Sequence, residues 1–486
     1  MDFNKDSSIQ TKAELEQIQA SIAELKQKES ILKARLASAN SLIENQFDLS
    51  ETLLQPTLPP GLTSNDISRY SRHLLLPAVG IEGQTKLKKA KVLVIGVGGL
   101  GSSALLYLSS MGIGEIGIVD FDSVDKSNLH RQIIHNEARQ NMSKAKSAML
   151  SINLLNSSTK VSPILEHLNS SNALQIFKNY DIILDATDNL PTRYLINDAC
   201  VLLGKPLVYG SALRLDGQLV VYNYNGGPCY RCLFPKPPKF DPKQNCSEAG
   251  VLGVVPGIIG CLQALQAVKI ILSSHPSTLN SNNTVSSSSS NTSPNTNKYY
   301  MTTFSAFAVP QFKSIQIRGR QPSCEVCGDN PNIKHLIDYP AFCGASQSDD
   351  PVMLKVLDEK DPFRISCTNF AKLRVSNPNH ILLDVREKSQ YDICSLRESI
   401  HIPFSDLQAL VQADSSQDSI PTFSNFTQIL EKSKTYNTPI YCICRRGNLS
   451  QLAVVTLRNY GLENCYQIDG GLTEWQKSID PLFPSY

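Results

Sequence analysis

Between residues 11 and 43, apolar Leu15, Ile18, Ile22, Leu25, Leu32 and Leu36 recur three and four positions apart, and only Glu29 breaks the series. That spacing predicts a helix with a heptad seam, on a background rich in Glu, Lys and Gln. Two readings of the seam stand: the helix packs on its own domain, or it zips with a second copy as a coiled coil. "LLQPTLPPGLTSND" then stops the helix, which sets off residues 1–55 as a helical N-terminal segment. From about residue 66 the pattern changes to short apolar runs that alternate with helical periodicity. "KVLVIG", "EIGIVDFD" and "YDIILDATDN" read as strands and "GSSALLYLSSMG" as a helix. Strand, Gly-rich turn and helix in succession predict an α/β, Rossmann-like domain over residues 60–330, with a parallel sheet covered by helices on both faces. A Ser/Asn tract at 273–298 cannot bury a core and reads as a disordered insertion, because strand-like sequence resumes at "FKSIQIRG". Residues 331–359 read as a linker. A second α/β unit at 360–486 has strands in "HILLDVRE", "PIYCIC" and "CYQID" and a helix in "LSQLAVVTLRNYG".

Composition adds exclusions. With 486 residues, 41% hydrophobic and 19% charged, the chain has room for two or three ordinary globular domains. A net charge of +2 gives no global argument for nucleic acid or membrane binding. No stretch is expected to be apolar enough to span a bilayer, and the N-terminus lacks the regions of a secretory signal. Thirteen cysteines are too sparse for a disulfide scaffold, so they read as cytosolic thiols or metal ligands.

The chemistry concentrates in a few short stretches. Gly96, Gly98 and Gly101 form G-x-G-x-x-G between a strand and a helix, where bare backbone and unpaired N–H groups can cradle a phosphate. Asp120 ends the next strand and can accept from a ribose hydroxyl. A nicotinamide dehydrogenase would show the same two features. Arg131 in "SNLHRQ" and Lys144 in "KAKS" shift the balance: cations this dense suit an α-phosphate under attack by a carboxylate, on which charge builds up. Asp188 in "DATDN" can hold a magnesium ion. The plainer alternative is that these are solvated surface charges.

Cys229 with Cys232, and Cys324 with Cys327, are two C-x-x-C pairs, together a candidate tetrahedral zinc site. Each pair alone also fits a redox dithiol or buried core cysteines. Cys246 lies on a polar, glycine-flanked stretch, as an exposed nucleophile or a free surface cysteine would. In "PIYCICRRGNLSQ", Cys444 is read as the last strand residue, where backbone N–H groups, a helix N-terminus and two arginines would lower its pKa. Cys442 reads as core.

"RYSRHLLLP", "GVGGLGSS", "DFDSVDKSNLHRQ", "DATDN" and "GSALRLDGQLVVYNYNGGPCYRCLFP" together resemble the ubiquitin-activating-type adenylyltransferases of the ThiF and MoeB kind. "LLDVRE", the Cys444 loop and "DGGLTEW" resemble a rhodanese sulfurtransferase domain. The whole chain resembles the eukaryotic fusion of the two, which serves molybdopterin synthase and the ubiquitin-related modifier. The resemblance implies that Gly99, Asp120, Ser127, Asn128, Leu129, Arg131, Lys144, Asp188 and Asn189 bind ATP with Mg2+, His130 filling the variable position of that segment. Arg72 would reach a neighbouring subunit's nucleotide in a homodimer. One structural Zn2+ would sit on Cys229, Cys232, Cys324 and Cys327, and Cys246 and Cys444 would be catalytic. The implied partners are a ubiquitin-like sulfur-carrier protein ending in Gly-Gly and a persulfide donor such as a cysteine desulfurase, with no membrane and no direct nucleic acid. The implied reaction adenylylates the carrier's C-terminal glycine and converts it to a thiocarboxylate for tRNA wobble-uridine 2-thiolation, molybdenum cofactor biosynthesis, or both. A rival reading is an activating enzyme that only conjugates proteins and uses its rhodanese fold for docking.

Overall fold

The computed structural model describes residues 20–38, 58–238, 250–273, 298–344, 356–358, 360–415 and 424–486. Two compact units divide the chain at Thr85 and Lys86. In the first, residues 20–38 are helical. Ile22, Leu25, Ile31, Leu32 and Leu36 are all exposed on it. Glu29, which breaks the seam, pairs with Lys33 one turn on at 2.7 Å, and Glu24 pairs with Lys28 in the same way. Leu15 and Ile18 lie outside the described residues. A second helix, Ser64–Leu74, starts with a capping box: the Thr63 hydroxyl accepts from the Asp66 N–H, and the Asp66 carboxylate accepts from the Thr63 N–H.

The second unit contains two sheets. Strands β1 (Lys91–Ile95), β2 (Glu115–Val119), β3 (Lys160–Ile164), β4 (Ile182–Asp185) and β5 (Leu207–Leu213) run parallel. Strands β6 (Asp216–Tyr222), β7 (Tyr299–Ser305) and β8 (Phe312–Ile317) extend the same sheet antiparallel, in the order β3-β2-β1-β4-β5-β6-β7-β8. The expected parallel sheet is there in β1 to β5, and three antiparallel strands extend it. The connection explains it: only Arg214 and Leu215 separate β5 from β6, and so short a turn can join only antiparallel neighbours. The Ser/Asn tract lies outside the described residues, apart from its ends. It enters from the helix Val254–Leu272 and leaves into β7, so both flanks belong to this domain.

One face of the sheet is covered by the helices Gly99–Ser110 and Val254–Leu272, through Leu100, Ala104, Leu105 and Leu108 against Val255, Ile259, Ala267 and Val268. Contrary to the sequence expectation, Val254–Leu272 is long and apolar enough to cross a membrane by composition alone. The packing accounts for that composition: one side of the helix is core. The opposite face of the sheet is aromatic, with Tyr194, Tyr209, Tyr222, Tyr230 and Tyr339. Tyr339 corrects a second expectation. It sits in the segment read as linker, yet it is buried at the start of a short helix, Tyr339–Cys343, and its hydroxyl donates to Asp198 at 2.9 Å.

The second sheet comprises β9 (Arg364–Ile365), β10 (Ile381–Asp384), β11 (Ile400–His401), β12 (Ile440–Ile443) and β13 (Cys465–Ile468). All pairs are parallel, in the order β11-β10-β12-β13-β9. Leu357 is buried in the core on one side of this sheet.

Candidate active sites and metal centre

In the first sheet the chain leaves β1 for β2 on one side and returns through β4 on the other. That reversal opens a crevice at the carboxyl ends of β1 and β4, where open α/β sheets bind ligands. Gly99 opens the helix after β1. A Cβ on Gly99 would lie 2.8 Å from Pro256, so a side chain there is excluded by the neighbouring helix. Its next neighbour is the carbonyl of Arg131, which brings the glycine loop and the "SNLHRQ" segment together. Asp120 follows β2 directly. One of its oxygens accepts from the Val97 N–H at 2.7 Å and the other from the Asp122 N–H at 2.9 Å, so the acid also braces the glycine loop. Burial pushes its carboxyl up, against the pull of Lys144.

The two expected cations are held by side chains. Buried Lys144, at the start of the helix Lys144–Leu155, donates to Asp122 at 2.8 Å. The Arg131 guanidinium donates to Asn128 at 2.6 Å and lies 3.2 Å from the His130 ring. Ser127 donates through both N–H and hydroxyl to Asp125, whose carboxyl this holds below its ordinary range. Leu129 is half-buried. Asp188 is exposed beyond β4, and Asn189 caps the helix Leu190–Leu202 by accepting from the Thr192 N–H. Arg72 is exposed near the end of its own helix.

Three supports were missed in the sequence. Asp122 lies within "DFDSVDKSNLHRQ", and only the fold supplies its partner, Lys144. His135 is buried between the Ser147 hydroxyl (2.9 Å) and the Val97 carbonyl (3.3 Å), tying the glycine loop to the Lys144 helix. Burial pulls its pKa down to about 4, so it is neutral at physiological pH. Asp185, fully buried at the end of β4, accepts from the N–H and hydroxyl of Thr187 and fixes the turn into "DATDN".

Cys229, Cys232, Cys324 and Cys327 converge, with all four sulfurs within 4.8 Å of one another. The closest separations are 3.3, 3.6 and 3.9 Å. Four thiolates around a zinc ion at about 2.3 Å stand about 3.8 Å apart, so the cluster fits that ion closely. The Gln321 N–H points at the Cys232 sulfur at 3.3 Å, a contact that favours thiolate. Between the first pair, buried Arg231 grips Asp198 with its guanidinium, sandwiched by the Tyr194 and Phe342 rings.

Cys246 lies outside the described residues. Cys444 is buried one residue beyond the end of β12. Its sulfur accepts from the N–H groups of Gly447 (3.1 Å) and Ser450 (3.4 Å), and its thiol lies 3.5 Å from the Ser450 hydroxyl. The expected lowering of its pKa does not prevail in the free thiol. Burial pushes it up, while the Ser450 hydroxyl and the N–H groups of Ser450, Gly447 and Arg446 pull it back. Arg445 instead stacks over the Tyr486 ring at 4.6 Å. The same ring's hydroxyl accepts from Arg386, whose guanidinium forks onto buried Asp384. The "DGGLTEW" stretch supports the loop from below: the N–H groups of Leu472 and Thr473 donate to the carbonyls of Cys444 and Arg445. Gly471 has φ +60°, and a Cβ there would meet the Cys444 carbonyl at 2.3 Å, so that support requires glycine. Cys442 is fully buried and its thiol is pushed well up by desolvation, as a core residue's would be.

Residues 70–326 match the ThiF family, and residues 368–478 match the rhodanese-like domain. The chain is 42% identical over 490 residues to an Arabidopsis thaliana protein, "Adenylyltransferase and sulfurtransferase MOCS3", covering 99% of each. Proteins with that name from Xenopus laevis (45% over 429 residues, 87% of this chain and 89% of the relative) and Sus scrofa (41% over 478 residues, 96% and 98%) are similar as well.

Proposed function

The chain belongs to the family of adenylyltransferase and sulfurtransferase MOCS3 proteins, and from that membership we propose that it activates the C-terminal glycine of a ubiquitin-like sulfur carrier and replaces the activated oxygen with sulfur. The observation that carries the proposal is the cradle at Cys444: a buried sulfur facing backbone N–H groups at a helix N-terminus. Such a cradle stabilises an anionic sulfur, and it stands in one chain with a glycine loop flanked by Arg131 and Lys144.

The carrier's carboxylate attacks the α-phosphorus of ATP and pyrophosphate leaves. Arg131 and Lys144 balance the charge that develops, Lys144 exchanging its Asp122 contact for phosphate oxygen. Asp120 orients the ribose, Asp188 holds the magnesium ion that ATP brings, and Arg72 acts on the nucleotide of the second subunit of a homodimer. The terminal sulfur of a Cys444 persulfide, loaded by a persulfide donor, then attacks the adenylate carbonyl and displaces AMP. The product is an acyl disulfide on Cys444. Cys246 thiolate attacks the Cys444 sulfur, releasing the thiocarboxylate and leaving a Cys246–Cys444 disulfide that an external thiol reduces. A zinc ion on the four cysteines would stiffen the domain without entering the reaction. The N–H contact to Cys232 and the closeness of the four sulfurs support a zinc site there. One chain supplies both reactants at high effective concentration. The carriers of this reading serve tRNA thiolation or molybdenum cofactor synthesis in the cytosol.

The test captures small proteins bound to the full chain and weighs them after incubation with ATP, a persulfide donor and thiol. A carrier ending in Gly-Gly should gain the mass of one sulfur-for-oxygen exchange. Recovery of only unmodified or conjugated carrier would refute the sulfur step and favour the conjugation-only reading.

A further inference from the structure

Gln451 is polar, 1% exposed, and one residue beyond Ser450 in the helix Asn448–Asn459. Its side-chain oxygen accepts from two backbone N–H groups, those of Val356 (3.1 Å) and Leu357 (3.0 Å). Its side-chain nitrogen donates to the Gly447 carbonyl at 3.2 Å. Gly447 in turn directs its own N–H at the Cys444 sulfur. A continuous path therefore runs from the segment that enters the second domain, through one amide, to the sulfur cradle. Burying an amide costs free energy unless its groups are paired, and here each end pairs with a different segment. For fastening Leu357 to the core, an apolar side chain would serve. Joining two acceptor-and-donor partners of opposite polarity needs a primary amide.

We propose that Gln451 is a positioning residue for sulfur transfer: it holds the Gly447 carbonyl, and with it the turn at Gly447 whose N–H faces the sulfur on Cys444, and it ties that turn to residues 356 and 357. The inference rests on the reading that Cys444 carries the sulfur. Peptide planes are rigid, so holding the Gly447 carbonyl restrains the peptide that follows it and, through the tight turn, the N–H that precedes it. The Ser450 hydroxyl also donates to the Gly447 carbonyl at 3.2 Å, so the amide is one of two holds on it.

The deciding variant is Gln451→Glu in the full chain. An ionised glutamate keeps the acceptor for Val356 and Leu357 but turns an acceptor toward the Gly447 carbonyl. A protonated glutamate restores a donor there, and burial raises the pH at which that proton is lost. Thiosulfate-to-cyanide sulfur transfer is measured from pH 6 to pH 9 as the ratio of variant to wild type. The ionisable groups on the joined segments, Cys444, Arg445, Arg446 and Asp358, are common to both proteins, and Gln451→Met, which adds no charge, separates loss of the amide from an electrostatic effect on them. The expected ratio is near one at the acid end and falls about tenfold at the alkaline end, the scale of one lost hydrogen bond. Iodoacetamide alkylation of Cys444 should change with the same pH dependence, and Gln451→Met should be impaired at every pH. A ratio that stays at one, or one depressed equally at all pH with unchanged alkylation, overturns the proposal. Loss of Cys444's role would show separately, as sulfur transfer surviving in Cys444→Ala.

Discussion

The glycine loop after β1 and the cysteine loop after β12 are the same device at different settings. Each links the carboxyl end of a central parallel strand to the start of a helix. In the first, the charged groups are held by polar side chains: Lys144 by Asp122, Arg131 by Asn128. The second is closed around one sulfur, with its donors already in place. A polyphosphate that comes and goes needs cations that can exchange partners. A covalently held sulfur needs a fixed cradle and exclusion of water. Burial does not distinguish the two, since Gly99 and Lys144 are buried as Cys444 and Gly447 are; the sulfur that the second loop already holds does.

The sharpest break in the comparison is Cys444→Ala. It should abolish thiosulfate sulfur transfer and thiocarboxylate formation while leaving carrier-dependent ATP–pyrophosphate exchange near normal, and Cys442→Ala should keep both activities. Survival of sulfur transfer in Cys444→Ala, or its loss in Cys442→Ala, would misplace the nucleophile. Next in size, Lys144→Ala should lower exchange by about a hundredfold or more, the scale of one preorganised charge lost from a transition state, with sulfur transfer from thiosulfate unchanged. Third, Cys232→Ser and Cys327→Ser should each lose bound zinc by metal analysis and melt at lower temperature; zinc retained by either would break the four-sulfur assignment.

The smallest expected effect is on pH. His135 is held neutral with its pKa near 4, below its ordinary 6.5. The unfolded chain therefore binds the proton that the folded chain refuses. The stability contribution is fully present above about pH 6.5 and is lost as pH falls toward 4. His135→Asn should flatten that part of the denaturation profile, seen by urea midpoints across the same range. An unchanged slope would show that this histidine does not set the acid limit.

How much was legible in the sequence follows from which residues act alone. The four cysteines sit in two short pairs that the structure brings together, and Gly99, Asp120 and Lys144 sit in motifs that the family resemblance marks. Asp122 and His135 were missed because their meaning lies in partners 22 and 12 residues away, Lys144 and Ser147, and no local pattern announces that distance. Tyr486 and Gln451 were missed for the same reason, across even longer separations. Strand-like "FKSIQIRG" is β8, but the antiparallel run of β6 to β8 was not anticipated, although the two-residue β5–β6 turn was present to be read. At Cys444 the N–H groups, helix N-terminus and arginines legible in the sequence are outweighed by burial, which sequence does not display.

The helix Val254–Leu272 has a consequence for how this protein is made. A segment of such hydropathy, emerging from a ribosome, presents the signal by which nascent chains are sorted to membranes. Its place in the gene order works against that fate. The strands β1 to β6 and the helix Gly99–Ser110, which form the surface it covers, all precede it and have left the exit tunnel before it appears. Domains assemble from their N-terminal side during synthesis, so the apolar face meets a docking surface that already exists. Moving this helix ahead of its partners by circular permutation should therefore divert newly made chains to membranes or aggregates, even if the finished fold is equally stable.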